Sequence, residues 1–208
     1  MDPVHLLAAV LGVGFAAGLR LYATVLGLGL AIRFDWLHLP AGMEGLEVLA
    51  HPAVLIAAGV AYLVEFVSDK IPWVDSIWDA VHTVIRPVGA AVLAATAFAG
   101  TDPLPKTLLI LACGGVALSA HASKAATRLA VNQSPEPFSN IALSLTGDVA
   151  VPFLLWMAVA HPIVTLILLA GFLAVFVWLA RKIWAVVRKG IGRVARRVRG
   201  EEGNAGTA

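Results

Sequence analysis

Uncharged apolar runs separated by short polar segments make up most of the chain. The runs cover residues 3–19, 21–32, 48–64, 87–101, 107–123 and 149–180. A helix needs about 20 apolar residues to cross the hydrocarbon core, and prolines and polar turn formers mark where the runs end. Joined across isolated charges, the runs predict six helical passes, at about residues 4–33, 52–70, 75–100, 105–131, 136–160 and 162–182. The predicted fold is an all-α, polytopic helical membrane protein with one transmembrane domain, residues 1–182.

Helix-interrupting residues occur inside three of these passes. The first contains several glycines and then Arg20, the third contains Arg86-Pro87, and the fifth contains Gly147-Asp148 and Pro152. Broken or re-entrant helices are tolerated at membrane depth only where protein or a water-filled cavity covers the freed backbone groups. We therefore expect the third and fifth passes to be broken and to line a polar cavity.

Composition supports the membrane assignment and narrows the chemistry. Of the 208 residues, 60% are hydrophobic and 13% are charged, whereas about a quarter of the residues of a soluble domain are charged. Cys113 is the single cysteine, and HExxH, GxSxG, Walker and zinc-spacing motifs do not occur. Asp75, Asp79 and His82 have side chains that bind metals, but this spacing is common on helices without one. We predict no enzyme, no metal and no cofactor.

The basic residues are concentrated at the carboxyl end. Eight of the fifteen lysines and arginines follow Ala180, in RKIWAVVRKGIGRVARRVRG, where apolar residues recur every three or four positions. This pattern predicts a basic amphipathic interfacial helix over residues 183–200, followed by a disordered tail over 201–208. Its partner is expected to be anionic phospholipid rather than nucleic acid, because the tail follows a membrane domain. The expected headgroup contacts are Arg181, Lys182, Arg188, Lys189, Arg193, Arg196 and Arg197.

Basic residues near the ends of the passes predict the orientation. Lysine and arginine are enriched on the cytoplasmic side of membrane proteins. Lys70, Lys124, Arg128 and the basic tail all lie on one side of a six-pass arrangement, opposite Arg33 and Lys106. We therefore expect both termini in the cytoplasm.

A first polar cluster joins the end of the second pass to the start of the third. Glu65 and Asp69 are four apart at the end of the second pass, and Asp75, Asp79, His82 and Arg86 follow at steps of four, three and four on one face of the third. One interpretation is a proton or cation relay of carboxylates and an imidazole. The other is a salt-bridge network near the membrane surface, in which Lys70 and Arg86 neutralise the acids.

A second polar cluster joins the fourth pass to the fifth. His121, Lys124 and Arg128 share one helix face, and a stripe with a spacing of four follows at Glu136, Asn140, Ser144 and Asp148. A charge at the bilayer centre costs about 2.5–3.5 kcal/mol on insertion scales, so this stripe should face the bundle interior or water. Either the stripe forms a functional site, or its acids pair with Arg20, Lys124 or Arg128 to hold helices together.

The charges of both clusters nearly cancel. The six acids are Glu65, Asp69, Asp75, Asp79, Glu136 and Asp148, and the five bases are Arg20, Lys70, Arg86, Lys124 and Arg128. A channel filter formed by a ring of one sign is therefore not expected. Paired charges that exchange partners or hold a polar headgroup fit the composition better.

Three segments resemble a known family. They are GLRLYATVLGLGLAIRF, YLVEFVSDKIPWVDSIWDAVHTVIRPVGAAVLA and SAHASKAATRLAVNQSPEPFSNIALSLTGDV. Together they resemble a bacterial integral membrane family, domain-of-unknown-function family 4126, from Gly18 to about Pro162. The resemblance implies a compact multi-span protein of the bacterial inner membrane and implies no established activity. The basic tail lies outside it.

Two functional hypotheses follow from the sequence. The first is a small transporter or channel-like protein that moves a solute or protons through the polar cavity. The second is a membrane organiser or lipid-interacting protein whose buried charges are structural. Small residues around Gly114-Gly115 would also allow close helix contact, either within the bundle or in a homo-oligomer.

Overall fold

The described part of the chain is entirely helical. The computed structural model describes the backbone of residues 2–131 and 137–205, and the same side chains except those of 72, 137, 140 and 192–205. Within these residues there is no strand, which confirms the predicted all-α class. The α-helices are α1 Pro3–Leu19, α2 Leu21–Arg33, α3 Pro52–Ser68, α4 Pro72–Ala97, α5 Pro103–Val131, α6 Pro137–Ala160 and α7 Pro162–Ala205, with a 3₁₀ helix at Glu44–Ala50.

Four helical segments are long and apolar enough to cross a membrane. They are Trp73–Ala97, Pro103–Val131, Ile141–Ala160 and Pro162–Ile191. The 3₁₀ helix and α3 meet at a bend of 70° and would make a fifth span if taken together. The described residues therefore give four or five candidate spans, and the predicted count of six is not confirmed.

The predicted first pass is two shorter helices that meet at Arg20. Asp2 caps the amino end of α1 by accepting a hydrogen bond from the Val4 N–H. Arg20 then adopts an extended backbone, with φ −151° and ψ 94°, and its side chain is buried. Extended geometry at one residue ends the α1 hydrogen-bond ladder and starts a new one in α2. The predicted interruption near Arg20 is thus present, but it divides the pass completely.

The predicted breaks in the third and fifth passes are wrong. The helix α4 continues through Pro87, and α6 continues through Gly147 and Pro152. A proline inside a helix removes one main-chain hydrogen bond, and neighbouring helices in a membrane bundle compensate for that loss. Neither helix therefore opens a cavity by breaking.

Residues 1–169 form the first of two units in the chain. Within this unit, close contact of α1 with α5 forms much of the apolar core. A Cβ added at Gly14 would lie 2.8 Å from the Cys113 carbonyl oxygen, and one added at Gly18 would lie 2.7 Å from the Ala117 Cα. Only glycine allows the two backbones to approach this closely. We call this contact, formed by Gly14, Gly18, Cys113 and Ala117, the glycine seam.

The second unit comprises residues 170–208 and continues α7. Its described side chains from Arg181 to Ile191 are all exposed. The helix runs through residues 182 and 183 without interruption and includes 201–205, while 206–208 lie outside the described residues. The backbone thus marks no boundary at 182, and the interfacial position of residues 183–200 stays a prediction.

Candidate functional site

A buried ion-pair network joins the break at Arg20 to four further helices. It contains four bases and five acids: Arg20, Arg86, Lys124, Arg128, Glu65, Asp69, Asp75, Asp79 and Asp148. The acids come from α3, the turn after it, α4 and α6, whereas two of the bases come from α5. Two branches make up this network, and the two sequence clusters contribute to a single site.

The first branch is centred on the Asp69 carboxylate, at the carboxyl end of α3. Its Oδ2 lies 2.8 Å from Arg20 Nη2, 3.1 Å from Arg128 Nη2 and 3.8 Å from Lys124 Nζ. Arg20 also contacts Asp148, with Nε 3.1 Å from Oδ1, and Arg128 pairs with Asp75. Asp69 is therefore a buried carboxylate shared by three cations, two of which hold a second acid.

The second branch is centred on the Arg86 guanidinium, which is fully buried in α4. Arg86 Nη2 donates to Glu65 Oε1 at 2.7 Å, and its Nη1 lies 3.4 Å from Asp79 Oδ1. Glu65 is also fully buried. Because a buried charge is tolerated only when it is paired, Arg86 and these two acids depend on one another.

Hydrogen-bond partners restrict the ring protons of both histidines of the predicted clusters. Arg86 Nη1 donates to His121 Nδ1 at 2.6 Å, so the remaining ring N–H of His121 faces the Asp79 carbonyl oxygen and the Thr83 hydroxyl. His82 Nδ1 lies 2.8 Å from the Trp78 carbonyl oxygen, which can only accept. The other His82 nitrogen lies 3.2 Å from the Tyr22 hydroxyl, which can donate or accept. The His121 tautomer and the proton on His82 Nδ1 follow from the donor and acceptor chemistry of the neighbours.

Acceptor oxygens outnumber aligned donors in the network. Five carboxylates face four cations, so the formal charge of these nine residues is −1. Among the described residues, the buried carboxylate oxygens without an aligned hydrogen bond are Glu65 Oε2, Asp69 Oδ1 and Oδ2, Asp75 Oδ2, Asp79 Oδ1 and Asp148 Oδ2. Arginine nitrogens without an aligned hydrogen bond are also present among the described residues, at Arg20 Nε and Nη1, Arg86 Nε and Arg128 Nη2.

Both branches end at a groove between α4 and α5. Asp75, from the first branch, and Asp79, from the second, lie one helical turn apart on α4, and both line this groove together with Thr83 and Arg128. Its volume is about 280 Å³. We call it the α4–α5 groove. It is the place where the buried charges meet an accessible space.

The structure brings most of the predicted site residues together. Ser144 of the predicted α6 stripe is buried and accepts from Arg20 through its hydroxyl at 2.7 Å and its carbonyl oxygen at 2.9 Å. Asp148 joins the network as described, with 15% of its side chain exposed. Glu136 lies outside the described residues, as does the side chain of Asn140. The inward direction of the stripe is therefore established at Ser144 and Asp148.

The sequence suggested that Lys70 pairs with the acids of the network. In the described part of the chain, Lys70 lies beside the network and makes other contacts. It donates to the Phe66 carbonyl oxygen at 3.0 Å and lies over the Phe66 ring. Burial lowers the pKa of Lys70 below its ordinary value of 10.5. Arg86 pairs with Glu65 and Asp79 of the first predicted cluster, whereas Asp69 and Asp75 pair with bases of other helices rather than with Lys70.

Tyr62 and the contact of Lys124 with Leu19 were absent from the sequence prediction. The Tyr62 hydroxyl donates to Asp148 Oδ1 at 3.0 Å, and Lys124 donates to the Leu19 carbonyl oxygen at 3.2 Å, beside the helix break. Tyr62 lies three residues before Glu65 on an apolar helix, and this spacing was an available signal that both face inward. The Lys124 contact could not be read from the sequence, because it depends on a carbonyl group exposed by the break.

The structure describes the side chains of only part of the predicted lipid-contact residues in the tail. Arg181, Lys182, Arg188 and Lys189 are exposed, with Lys182 Nζ 4.1 Å from the centre of the Trp178 ring. The side chains of Arg193, Arg196 and Arg197 lie outside the described residues. In the described part of the chain, no three His, Cys, Asp or Glu side chains are grouped to hold a metal ion.

Comparison with known families identifies the region that contains this network. Residues 7–182 match the family described as "Domain of unknown function (DUF4126)". The chain belongs to the DUF4126 family. The match includes every residue of the ion-pair network. It is wider than the predicted resemblance, which ran from Gly18 to about Pro162, and it includes the first two basic residues after Ala180. No curated protein and no solved structure matches the chain.

Proposed function

We propose that this DUF4126 protein is a small membrane transporter that carries protons, with the ion-pair network as its proton-binding site. The observation that carries the proposal is the position of Asp69 between Arg20, Lys124 and Arg128. Ionisable residues inside a membrane bundle are costly, and they commonly mark ion or proton pathways.

Partner exchange at Asp69 gives the proposal a mechanism. Protonation of Asp69 removes the charge that holds Arg20 and Arg128 to α3. Both arginines keep a second acid, Asp148 and Asp75 respectively, so neither is left unpaired. Protonation thus loosens α3 from the Arg20 break and from α5 at a low electrostatic cost. Deprotonation restores the contacts, and this pair of states is what a carrier needs.

Proton flux into vesicles tests the proposal. The purified full chain is reconstituted, a potassium diffusion potential is applied with valinomycin, and internal pH is followed with a trapped dye. We expect wild-type protein to acidify the vesicles and Asp69→Asn to slow the flux by about tenfold or more, since asparagine cannot take up the proton. Glu47→Gln, which removes an exposed acid outside the network, is the matched control and should transport like wild type.

Two outcomes would contradict transport. Wild-type vesicles that acidify no faster than protein-free vesicles would do so directly. Unchanged flux in Asp69→Asn would remove the network from the mechanism. If Asp69→Asn does not reach the membrane, Asp148→Asn replaces it, because Asp148 is partly exposed and pairs with only one arginine.

A membrane organiser with structural charges is the second candidate, and the dual pairing of each arginine favours it. Under this hypothesis Asp148→Asn lowers the amount of folded protein without affecting any flux. Stability and flux measured on the same Asp148→Asn sample separate the two functions.

The sequence supplies the remaining parts of the proposal. We propose a bacterial inner-membrane location with both termini in the cytoplasm, on the distribution of lysine and arginine. The exposed basic side chains of α7 would bind anionic phospholipid. Neither a catalytic activity nor a nucleic-acid partner forms part of the proposal.

A further inference from the structure

The Tyr62 side chain reaches from α3 to the Asp148 carboxylate of α6. Its hydroxyl donates to Asp148 Oδ1 at 3.0 Å, and the tyrosine itself is half-buried. A hydroxyl brings no charge to the ion-pair network. Any effect of Tyr62 on the network therefore acts through the position and the charge of Asp148.

Arg20 contacts Asp148 without fixing its direction. Arg20 Nε lies 3.1 Å from Asp148 Oδ1, which is ion-pair distance, but this nitrogen has no aligned hydrogen bond among the described residues. The aligned bonds of Arg20 go to the hydroxyl and the carbonyl oxygen of Ser144. Asp148 Oδ2 likewise has no aligned donor in the described part of the chain. Tyr62 is thus the group that holds Asp148 Oδ1 beside Arg20 Nε.

This position matters for the partner exchange at Asp69. When Asp69 is protonated, Arg20 keeps an acid only if Asp148 is charged and close to Nε. A hydrogen bond donated to a carboxylate favours its charged form. Tyr62 supplies such a bond at the same oxygen that Arg20 contacts. The hydroxyl therefore maintains both conditions.

The charged groups around Asp148 come from several elements. Arg20 belongs to the break between α1 and α2, whereas Asp69, which shares Arg20, and Lys70, whose charge interacts with Asp148, belong to the turn after α3. From α5, Lys124 lies 3.8 Å from Asp69. The Asp148 side chain is 15% exposed, against 8% or less for the other four acids of the network. Its charge therefore follows the bulk pH most directly.

We propose that Tyr62 is a positioning residue of the proton carrier. It keeps Asp148 charged and beside Arg20, so that Arg20 remains paired while Asp69 holds the proton. This inference rests on the proposed proton transport and adds a residue to its mechanism.

The pH profile of the vesicle flux tests this role. Tyr62→Phe keeps the ring and removes one hydroxyl, so the charged form of Asp148 becomes less favoured. With flux measured at a series of pH values and constant membrane potential, its decline on the acid side should begin about one pH unit higher than in wild type. A packing defect would instead lower the flux by one factor at every pH. A decline at the wild-type pH would overturn the proposal.

A double-mutant cycle checks that Tyr62 acts through Asp148. On the acid side of the profile, Tyr62→Phe alone should lower the flux by at least about fivefold. In the Asp148→Asn background the carboxylate is absent, so the same change should alter the remaining flux by less than about twofold. An equal factor in both backgrounds would show that Tyr62 acts independently of Asp148 and would overturn the proposal.

Thr146→Val is the matched control. It removes a hydroxyl from an exposed position of α6, two residues before Asp148, where the hydroxyl donates to the Ala142 carbonyl oxygen. Its pH profile should match wild type, and a shift equal to that of Tyr62→Phe would contradict the positioning role. If Tyr62→Phe does not reach the membrane, Tyr62→Met takes its place with the same expected shift.

The outcomes separate the positioning role from transport itself. Flux that depends on Asp69 but keeps a wild-type pH profile in Tyr62→Phe would overturn the positioning role and leave proton transport standing. Wild-type vesicles without flux would overturn transport, and the positioning role with it.

Discussion

The glycine seam and the ion-pair network hold neighbouring helices of one bundle by opposite physical means. At the seam, α1 and α5 meet backbone to backbone, and Gly14 and Gly18 leave no room for a side chain. In the network, long side chains bridge the helices, and the contacts depend on charge. The seam should therefore be sensitive to volume and tolerant of polarity, whereas the network should be sensitive to charge and tolerant of small changes in volume.

Removing the central arginine of the second branch should have the largest effect. Arg86→Met keeps most of the side-chain volume but leaves Glu65 and Asp79 buried without their cation. We expect a loss of about 3–5 kcal/mol in the free energy of unfolding, seen as a lower melting temperature or as loss of protein from the membrane. A thermal melt unchanged from wild type would show that the network contributes nothing to stability.

Adding volume at the seam should have the next largest effect. In Gly18→Val, the new Cβ would overlap the Ala117 carbonyl group, which is main chain and cannot turn aside. The expected destabilisation is about 1–3 kcal/mol or more, measured by the same thermal melt. Gly115→Ala is the matched control on α5, because its Cβ meets nothing within 4 Å. It should be neutral or slightly stabilising, and equal losses in both variants would remove the seam from the explanation.

Removing an exposed ion pair should have the smallest effect on stability. Asp2 Oδ2 lies 2.6 Å from His5 Nδ1 at the start of α1. The hydrogen bond from the Val4 N–H, and to a smaller extent the one with His5, holds the pKa of Asp2 below its ordinary value of 3.8. A lowered pKa stabilises the folded state above pH 3.8, and that contribution is lost as the pH falls through the lowered value. Asp2→Ala should therefore lower the melting temperature slightly at pH 6, and the difference should disappear on acidification. A difference that grows as the pH falls would contradict this assignment.

Local patterns predicted the helices well, because each depends on nearby residues. The runs at 52–70, 105–131 and 136–160 agree with α3, α5 and α6 to within a few residues. The error at Pro87 and Pro152 arose because a proline signal was given the same weight in a membrane helix as in a soluble one. The interruption predicted at Arg20 is present, because a buried arginine coincides there with a glycine-rich segment.

Pairing within the site was only partly predictable. The sequence suggested that Asp148 could pair with Arg20, and the structure shows this contact. It did not single out Asp69 as the shared carboxylate, since helical spacing describes faces of one helix and not which helices meet. The contact of Lys124 with the Leu19 carbonyl oxygen was likewise out of reach, because it requires the three-dimensional path of a helix break.

The break at Arg20 also has a consequence for how the protein is made. Arg20 leaves the ribosome well before its partner Ser144, which lies 124 positions later in the chain. Lys124, which contacts the broken backbone at Leu19, is synthesised 105 positions later. When α1 and α2 first meet the bilayer, the guanidinium and the open carbonyl group have none of these partners. Biogenesis of this protein therefore passes through a stage in which its amino-terminal helices await the rest of the chain before the Arg20 turn can be buried.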